Sequence, residues 1–449
     1  MEHKIVDDSL KSIFNITMPM VLSFMSTNLM YTIDKFMLAG YSVNAMNAAS
    51  IAGTFAGIFS FMFTGMTDSA EIFVGQYNGA RQYHKLADPV WQMIYLALAS
   101  SLVFVPIGYF SDSINTLPDY CLKEGLEYQK ILMYFGMISP LKTAIAAFFI
   151  GQGKTKIITL SVIMAGIINI VLDYVLIYGI DNVIPDMGCV GAAIATVVAE
   201  FFQIAVLIAI FFGKKNRKFY QTLENRKFNP PLFGDCVRIG FPQMFGNLVS
   251  MLAWYAIQII TAHISKDIAT VYNIGITIYI FFIFVGEGMN KAIATICANM
   301  IGRQDLQAIK KTYRIFVAIS LFCGVVISIP LVFFPECIFS LLSMLPDNLS
   351  VLYGDIKIVL CFVTVNVAFE MLMLSTWGVL IAGGDTKYAA IVYQICLWLL
   401  VVFPTVLLYV LDVLYYVPAV YAFMTMWVVA AQICMYRRYK SLKWYNRLS

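Results

Sequence analysis

The chain has 449 residues, of which 60% are hydrophobic and 12% charged, and it carries a formal net charge of +4. Ordinary soluble domains hold about 25% charged residues, so this composition excludes a soluble enzyme or binding module and leaves a membrane protein. The basic excess sits in loops, which is a topology signal and not a nucleic-acid footprint.

Crossing about 30 Å of hydrocarbon at about 1.5 Å per residue takes about 20 mostly apolar residues. Twelve stretches qualify, beginning near residues 13, 46, 88, 128, 157, 188, 238, 268, 310, 352, 387 and 414. Met1 to Asp8 is charged and the first apolar run is too long and polar for a signal peptide, so no cleavable signal is expected. The nine cysteines form no Cys-x-x-Cys pair, and neither a metal site nor a disulfide framework is expected. Cys121 and Cys337 can share a side of the membrane, but they fall in different halves of the chain. Lys and Arg crowd the termini and even-numbered loops, whereas the odd-numbered loops carry only Lys123, Lys130, Lys266 and Lys357. The positive-inside rule then places both termini in the cytoplasm of a cell-membrane protein and favours an even number of spans.

Taken in order, the first predicted helix holds Met18-Pro19 and Asp34-Lys35, and the second holds Gly65, Asp68 and Glu71 before ending in Gln76-Tyr77-Asn78-Gly79. The fourth contains Lys142 and ends at Gly151-Gln152-Gly153-Lys154-Thr155-Lys156. The fifth carries Asn169 and Asp173, and the sixth Thr196 and Glu200. A polar connector with Lys214-Lys215-Asn216-Arg217-Lys218 and Asn229-Pro230-Pro231 follows. The punctuation then returns. An offset of 223 takes Met18-Pro19 to Phe241-Pro242, Gly65 to Gly288, and Gln76 to Gly79 onto Asn299-Met300-Ile301-Gly302. An offset of 231 takes the Gly151 to Lys156 segment onto Ala382-Gly383-Gly384-Asp385-Thr386-Lys387. Such a long period means two homologous halves. The expectation is an all-α membrane protein of two pseudo-symmetric six-helix lobes, residues 1–213 and 235–449, joined by a connector at 214–234. Because each half has an even number of spans, the lobes share one orientation around an axis along the membrane normal and enclose a central cavity.

The first-helix proline, Gln76-x-x-Gly79, Gly384-Asp385-Thr386-Lys387, the stretch Asn169 to Gly179 and the segment Met187 to Thr196 resemble the multidrug and toxic compound extrusion family over essentially the whole chain. The resemblance implies a secondary antiporter that functions as a monomer, expels organic, cationic or amphipathic compounds, and draws on inward flow of Na+ or H+ with no other cofactor. It also implies an amino-lobe cation site at Asp34, Asn169, Asp173 and Thr196. The fifteen-residue spacing from Pro19 to Asp34 is similar to that of the DinF-like branch. Extra residues near Asp181 to Asp186 lengthen the loop before Thr196, making it the least secure member of the set.

Seven acids fall inside predicted spans, Asp34, Asp68, Glu71, Asp173, Glu200, Glu287 and Glu370, against Lys35, Lys142 and Lys291. A carboxylate at a helix centre costs about 2.5 to 3.5 kcal/mol on insertion scales, so each should face a cavity, a partner or a bound cation. Asn169 and Asp173 share a helix face, and an amide oxygen, carboxylates and a hydroxyl are the hard ligands a small alkali cation takes. The repeat has no second copy, since Asp34 maps to Ile257, and Asn169 and Asp173 map to Leu400 and Pro404. Glu370 resembles the tenth-helix acid of the NorM-like branch, while Gly246 to Gln258 lacks that branch's seventh-helix acid. Glu370, Glu287 and Lys142 are therefore candidates for substrate contact or a secondary proton site. Glu287 and Lys291, one turn apart, are expected to pair, and Lys142 is a candidate partner of Asp34 or Asp173. Tyr31, Met37, Phe55, Phe59, Trp254, Tyr255 and Phe281 are candidate cavity walls.

An ATP-driven pump is disfavoured because Phe148 occupies the first glycine position that a Walker motif ending at Gly153-Lys154-Thr155 requires. A prenyl transferase needs a second Asp cluster for Mg2+ and diphosphate, where the second half offers Leu400 and Pro404. No nucleophile constellation surrounds the scattered histidines, so no enzyme is expected. A lipid-linked oligosaccharide flippase of the same superfamily is the alternative, but its cavity should be basic, and here the intramembrane excess is acidic.

Overall fold

The structure is a computed structural model that describes residues 6–114, 117, 122–264, 266–335, 349–412 and 416–445. Cys121 and Cys337 lie outside the described residues. Among the described residues twelve helices are long and apolar enough to cross a membrane: α1 (Leu10–Tyr41), α2 (Asn44–Gly79), α3 (Tyr83–Tyr109), α4 (Leu122–Ile150), α5 (Thr155–Tyr178), α6 (Gly188–Phe211), α7 (Pro230–Thr261), α8 (Val271–Gly302), α9 (Leu306–Phe333), α10 (Leu352–Ala382), α11 (Thr386–Val410) and α12 (Pro418–Lys440). They begin within a few residues of the expected starts, except α3, α4 and α7, which reach further toward their preceding loops.

Local chemistry fixes the helix ends and breaks. Ser9 caps α1, its hydroxyl accepting from Ser12 N at 3.2 Å, and Asp305 caps α9 through Ala308 N at 2.9 Å. Pro19 withdraws the N–H that Asn15 O would accept. The Thr155 hydroxyl compensates from the start of α5, 3.5 Å from Asn15 O and 3.2 Å from Ile16 O. Its repeat equivalent Thr386 makes the matching bond to α7, donating to Ile239 O, the counterpart of Ile16 O, at 2.7 Å. The loops preceding both threonines turn through glycines at positive φ, Gly153 at 70° and Gly384 at 76°. In α11 a π-turn at Trp398–Val402 immediately precedes Pro404, whose ring forces the register change.

Helices α1 to α6 pack as one lobe and α7 to α12 as another, with α10 running through the centre of the second against α8, α9 and α12. Its core is built on Val359, Val363, Val367 and Met371, with Trp427 and Tyr421 filling the space from α12. Phe148, Phe149, Met93 and Phe211 fill the core of the first lobe. Outward-facing Leu102, Phe322 and Val410 remain largely exposed, as side chains that meet lipid do. The connector is held to the first lobe by Tyr220, whose hydroxyl accepts from Lys154 Nζ at 3.1 Å while the same ammonium sits 4.9 Å from the ring centre. Burial, reinforced by the Lys215 charge, pushes Lys154 down to about 8.

The repeated residues are where the lobes meet. A Cβ on Gly79 would lie 1.8 Å from Asn299 O, and one on Gly302 would lie 2.0 Å from Gln76 O. About four turns deeper, Gly65 abuts Gln243 and Met244 of α7, and Gly288 abuts Val21 of α1. Gln76 Nε2 donates to Ala382 O at 2.9 Å, and its repeat equivalent Asn299 donates through Nδ2 to Gly151 O at 2.8 Å. Gly151 and Ala382 are themselves repeat equivalents, so the seam obeys the twofold relation atom by atom. Asn78 Nδ2 reaches Asn299 Oδ1 at 2.6 Å across it. This seam lies at the end bearing the basic loops. Among the described residues no hydrogen bond or ion pair joins the lobes beyond about the level of Asn247, which donates to Phe61 O at 3.0 Å. Among the described residues the lobes are thus bonded to each other at the basic end and unlinked at the other.

Candidate cation site in the amino lobe

Helix α1 is stitched to α5 along its length. Thr159 donates to Pro19 O at 2.6 Å, Ser23 donates to Thr159 at 2.9 Å, and Tyr178 donates to Met37 O at 2.7 Å. This registration turns Asp34 inward, buried, while its neighbours Lys35 and Phe36 stay exposed. It brings Asp34 opposite Asp173, with their carboxyls within hydrogen-bonding reach of one another and the Asn169 amide beside Asp173. Asn169 and Asp173 are fully buried, as one face of α5 requires for residues four apart.

Five polar atoms of this cluster find no well-formed hydrogen bond: Asp34 Oδ1, both Asp173 oxygens, and Asn169 Oδ1 and Nδ2. No Lys, Arg or His forms an ion pair with either carboxyl among the described residues. Two facing carboxyls in low dielectric are costly unless something neutralises them, which makes the pair a candidate cation site. One turn before Asn169, a Cβ built on the buried Gly166 meets nothing within 4 Å, so there is open space beside the cluster. Tyr128 of α4 stands in electrostatic reach of both acids, and Tyr31 of Asp34; sequence reasoning had not singled out Tyr128, which no spacing rule connects to α1 or α5.

Other expected members have hydrogen-bond or ion-pair partners of their own. Thr196 is half-buried on α6, and its hydroxyl donates to Ala192 O of its own helix at 3.0 Å. Lys142 pairs with neither Asp34 nor Asp173; it reaches Glu200 of α6 at 2.7 Å, because α4 and α6 are direct neighbours. Lys291 does not close on Glu287 as the one-turn spacing suggested. It crosses to the other lobe and binds Asp68 at 2.9 Å and Glu71 at 3.2 Å, two acids whose combined attraction outweighs one. Glu370 is buried in the carboxy lobe, accepting from the Tyr279 hydroxyl. Of the candidate cavity walls, Tyr31, Tyr255 and Phe281 are exposed, whereas Trp254 packs against Trp427, ring centres 5.7 Å apart.

The repeat seen in the seam also appears in the family comparison, where a family model for MatE matches twice, over residues 19–175 and 242–407. The chain belongs to the MatE family. Among relatives, this MatE chain is similar to the probable multidrug resistance protein NorM of Thermotoga maritima, 22% identical over 81% of this chain and 78% of that protein. It is also similar to the probable multidrug resistance protein YoeA of Bacillus subtilis, 22% identical over 76% of this chain and 72% of that one. Among solved structures, an outward-facing MATE family transporter of the MOP superfamily superposes with a TM-score of 0.86 at 18% identity, covering 97% of each chain. The MatE fold of twelve membrane helices is thereby shown, and its relatives are transporters and not enzymes.

Proposed function

We propose that this MatE protein is a secondary antiporter of the cell membrane, working as a monomer with both termini in the cytoplasm. It exports organic cationic or amphipathic compounds in exchange for an inward-moving cation. The observation that carries the reading is the Asp34–Asp173 pair, buried face to face without a basic partner. A protein of this size has no structural need for two uncompensated carboxyls, whereas a coupling site must bind and release a single positive charge.

The geometry suits H+ first, since two carboxyls in mutual reach can share one proton. Na+ would draw on the same oxygens and the Asn169 amide, and would call for further oxygen ligands beyond them. With the site neutralised, α1 loses a charge repulsion against α5, and the lobe can change shape so that substrate leaves on the unlinked side. Relatives named for multidrug resistance and the acidic intramembrane excess support an organic-cation substrate over a lipid-linked diphosphate. Glu370, with Tyr279, would contact that substrate from the carboxy lobe. The DinF-like assignment rests on the Pro19 to Asp34 spacing alone.

Proteoliposomes loaded with a fluorescent organic cation and given an imposed H+ or Na+ gradient test this. Gradient-driven export names the ion. A folded protein that exports under neither gradient contradicts the proposal.

A further inference from the structure

The contact between Lys291 and Asp68 joins the same position of the two repeats, because the 223-residue offset takes one onto the other. Positions that meet themselves lie on the pseudo-twofold axis. A strict repeat would put like charges there, and this chain puts opposite ones. Glu71 joins from one turn further along α2, its carboxylate accepting from the Thr295 hydroxyl of α8 at 2.8 Å as well as from Lys291. Two acids of one lobe thus hold one ammonium of the other. The cluster stands eight residues, or about 12 Å, inside the Gln76–Asn299 seal on the side of the unlinked ends. Asp68 retains 28% of its side-chain exposure.

We propose that Asp68, Glu71 and Lys291 form a second, interlobe coupling site, at which proton uptake unlatches the basic-end seam. In the closed state Lys291 is shared by two carboxylates. A proton arriving from solution on the unlinked side is taken up by Glu71, and Asp68 is left to hold the ammonium alone. The lysine keeps its own proton and moves to Glu287, one turn back on α8, which forms no ion pair among the described residues. On its far side Glu287 faces Tyr279, Tyr393 and Glu370, none of them cationic, so no other positive charge competes for it. The lobes then part without stranding an ammonium in the membrane interior. Loss of the proton to the basic side restores the two-acid clamp and closes the seam. The sequence supplies each group where this exchange needs it, with both acids on one lobe and lysine plus alternative acid on the other.

The inference rests on the alternating-access reading, and its test separates the two. Spin labels placed at Lys85 and Lys310, both exposed at the basic ends of the two lobes, report lobe separation by double electron–electron resonance in the full chain with its cysteines replaced, without substrate. Acidification from about pH 8 to about pH 5.5 is expected to populate a longer distance in the otherwise native protein. Glu71→Gln should raise the open-to-closed ratio at neutral pH about tenfold and flatten its pH dependence. The exchanged pair Asp68→Lys with Lys291→Asp should restore closure, which a purely packing role would not do. Should Glu71→Gln fail to fold, Asp68→Asn, at the more exposed partner, reads the same effect. No lobe motion in the native protein at any pH overturns the alternating-access reading. Motion whose pH profile is unchanged in both Glu71→Gln and Asp68→Asn overturns the latch alone.

Discussion

Adding a single methyl group at Gly79 should pry the lobes apart. A Cβ there sits 1.8 Å from Asn299 O, 2.6 Å from its carbonyl carbon and 2.9 Å from its Cα, all backbone atoms that cannot rotate away. Ordinary contact begins near 3.4 Å, so the helix ends must separate by about 1.6 Å. That movement also stretches Asn78 to Asn299 and Gln76 to Ala382, whose present lengths are 2.6 and 2.9 Å. Overpacking of this kind costs about 1–3 kcal/mol. Set against the closed state alone, it multiplies the open fraction by about 5- to 150-fold. Gly302→Ala, meeting Gln76 O at 2.0 Å, should act in the same direction by the twofold relation. Gly166→Ala, with nothing within 4 Å, serves as the matched control. The assay is the rate of thiol modification at a cysteine introduced in the basic-end seam. Unchanged rates in both Gly79→Ala and Gly302→Ala, in folded protein, would refute the assignment of the repeated glycines to the closure.

Three further outcomes are expected. Thr155→Val strands the Asn15 and Ile16 carbonyls freed around Pro19 and should cost about 1–3 kcal/mol, read as a lower detergent melting temperature; Thr386→Val should do likewise in the other lobe. Breaking the Lys142–Glu200 pair from either side should destabilise the amino lobe by about 1–3 kcal/mol, and the double change Lys142→Met with Glu200→Gln should cost less than Lys142→Met alone, measured by the same melts. The double change costs less because no unpaired charge is left behind. Tyr279→Phe should weaken export of a cationic substrate mainly through its apparent affinity, since it removes the donor on Glu370 without touching the amino-lobe pair.

The parts of this molecule legible in sequence are those written in spacing. Twelve apolar runs gave twelve helices, and the 223- and 231-residue offsets pointed to glycines that need to be small because two lobes press on them. Asn169 and Asp173 were readable as neighbours through their i,i+4 relation, and Asp34 joined them because α1 and α5 are zipped from Thr155 to Tyr178. Ion-pair partners were not readable in the same way. Lys142 lies 58 residues from Glu200, on a helix whose proximity only packing decides. The i,i+4 rule suggested Glu287 for Lys291, yet the rule weighs a single helix and knows nothing of two acids approaching from the other lobe. The offset that maps Asp68 onto Lys291 was nonetheless present in the chain, and an axis passing between repeats is the physical reason such a pair touches. Thr196 was carried by resemblance, and its hydroxyl donates to its own helix while keeping its oxygen lone pairs.

The most direct test of the coupling site is export by Asp34→Asn and Asp173→Asn in the same proteoliposomes as the native protein. An inward cation crossing the full potential provides about 2.3 kcal/mol per 100 mV, and this drive should not reach substrate unless the buried pair is intact. The account predicts that each variant inserts and folds normally but loses gradient-driven export while still binding the organic cation. Native-like, ion-dependent export in both variants would contradict it.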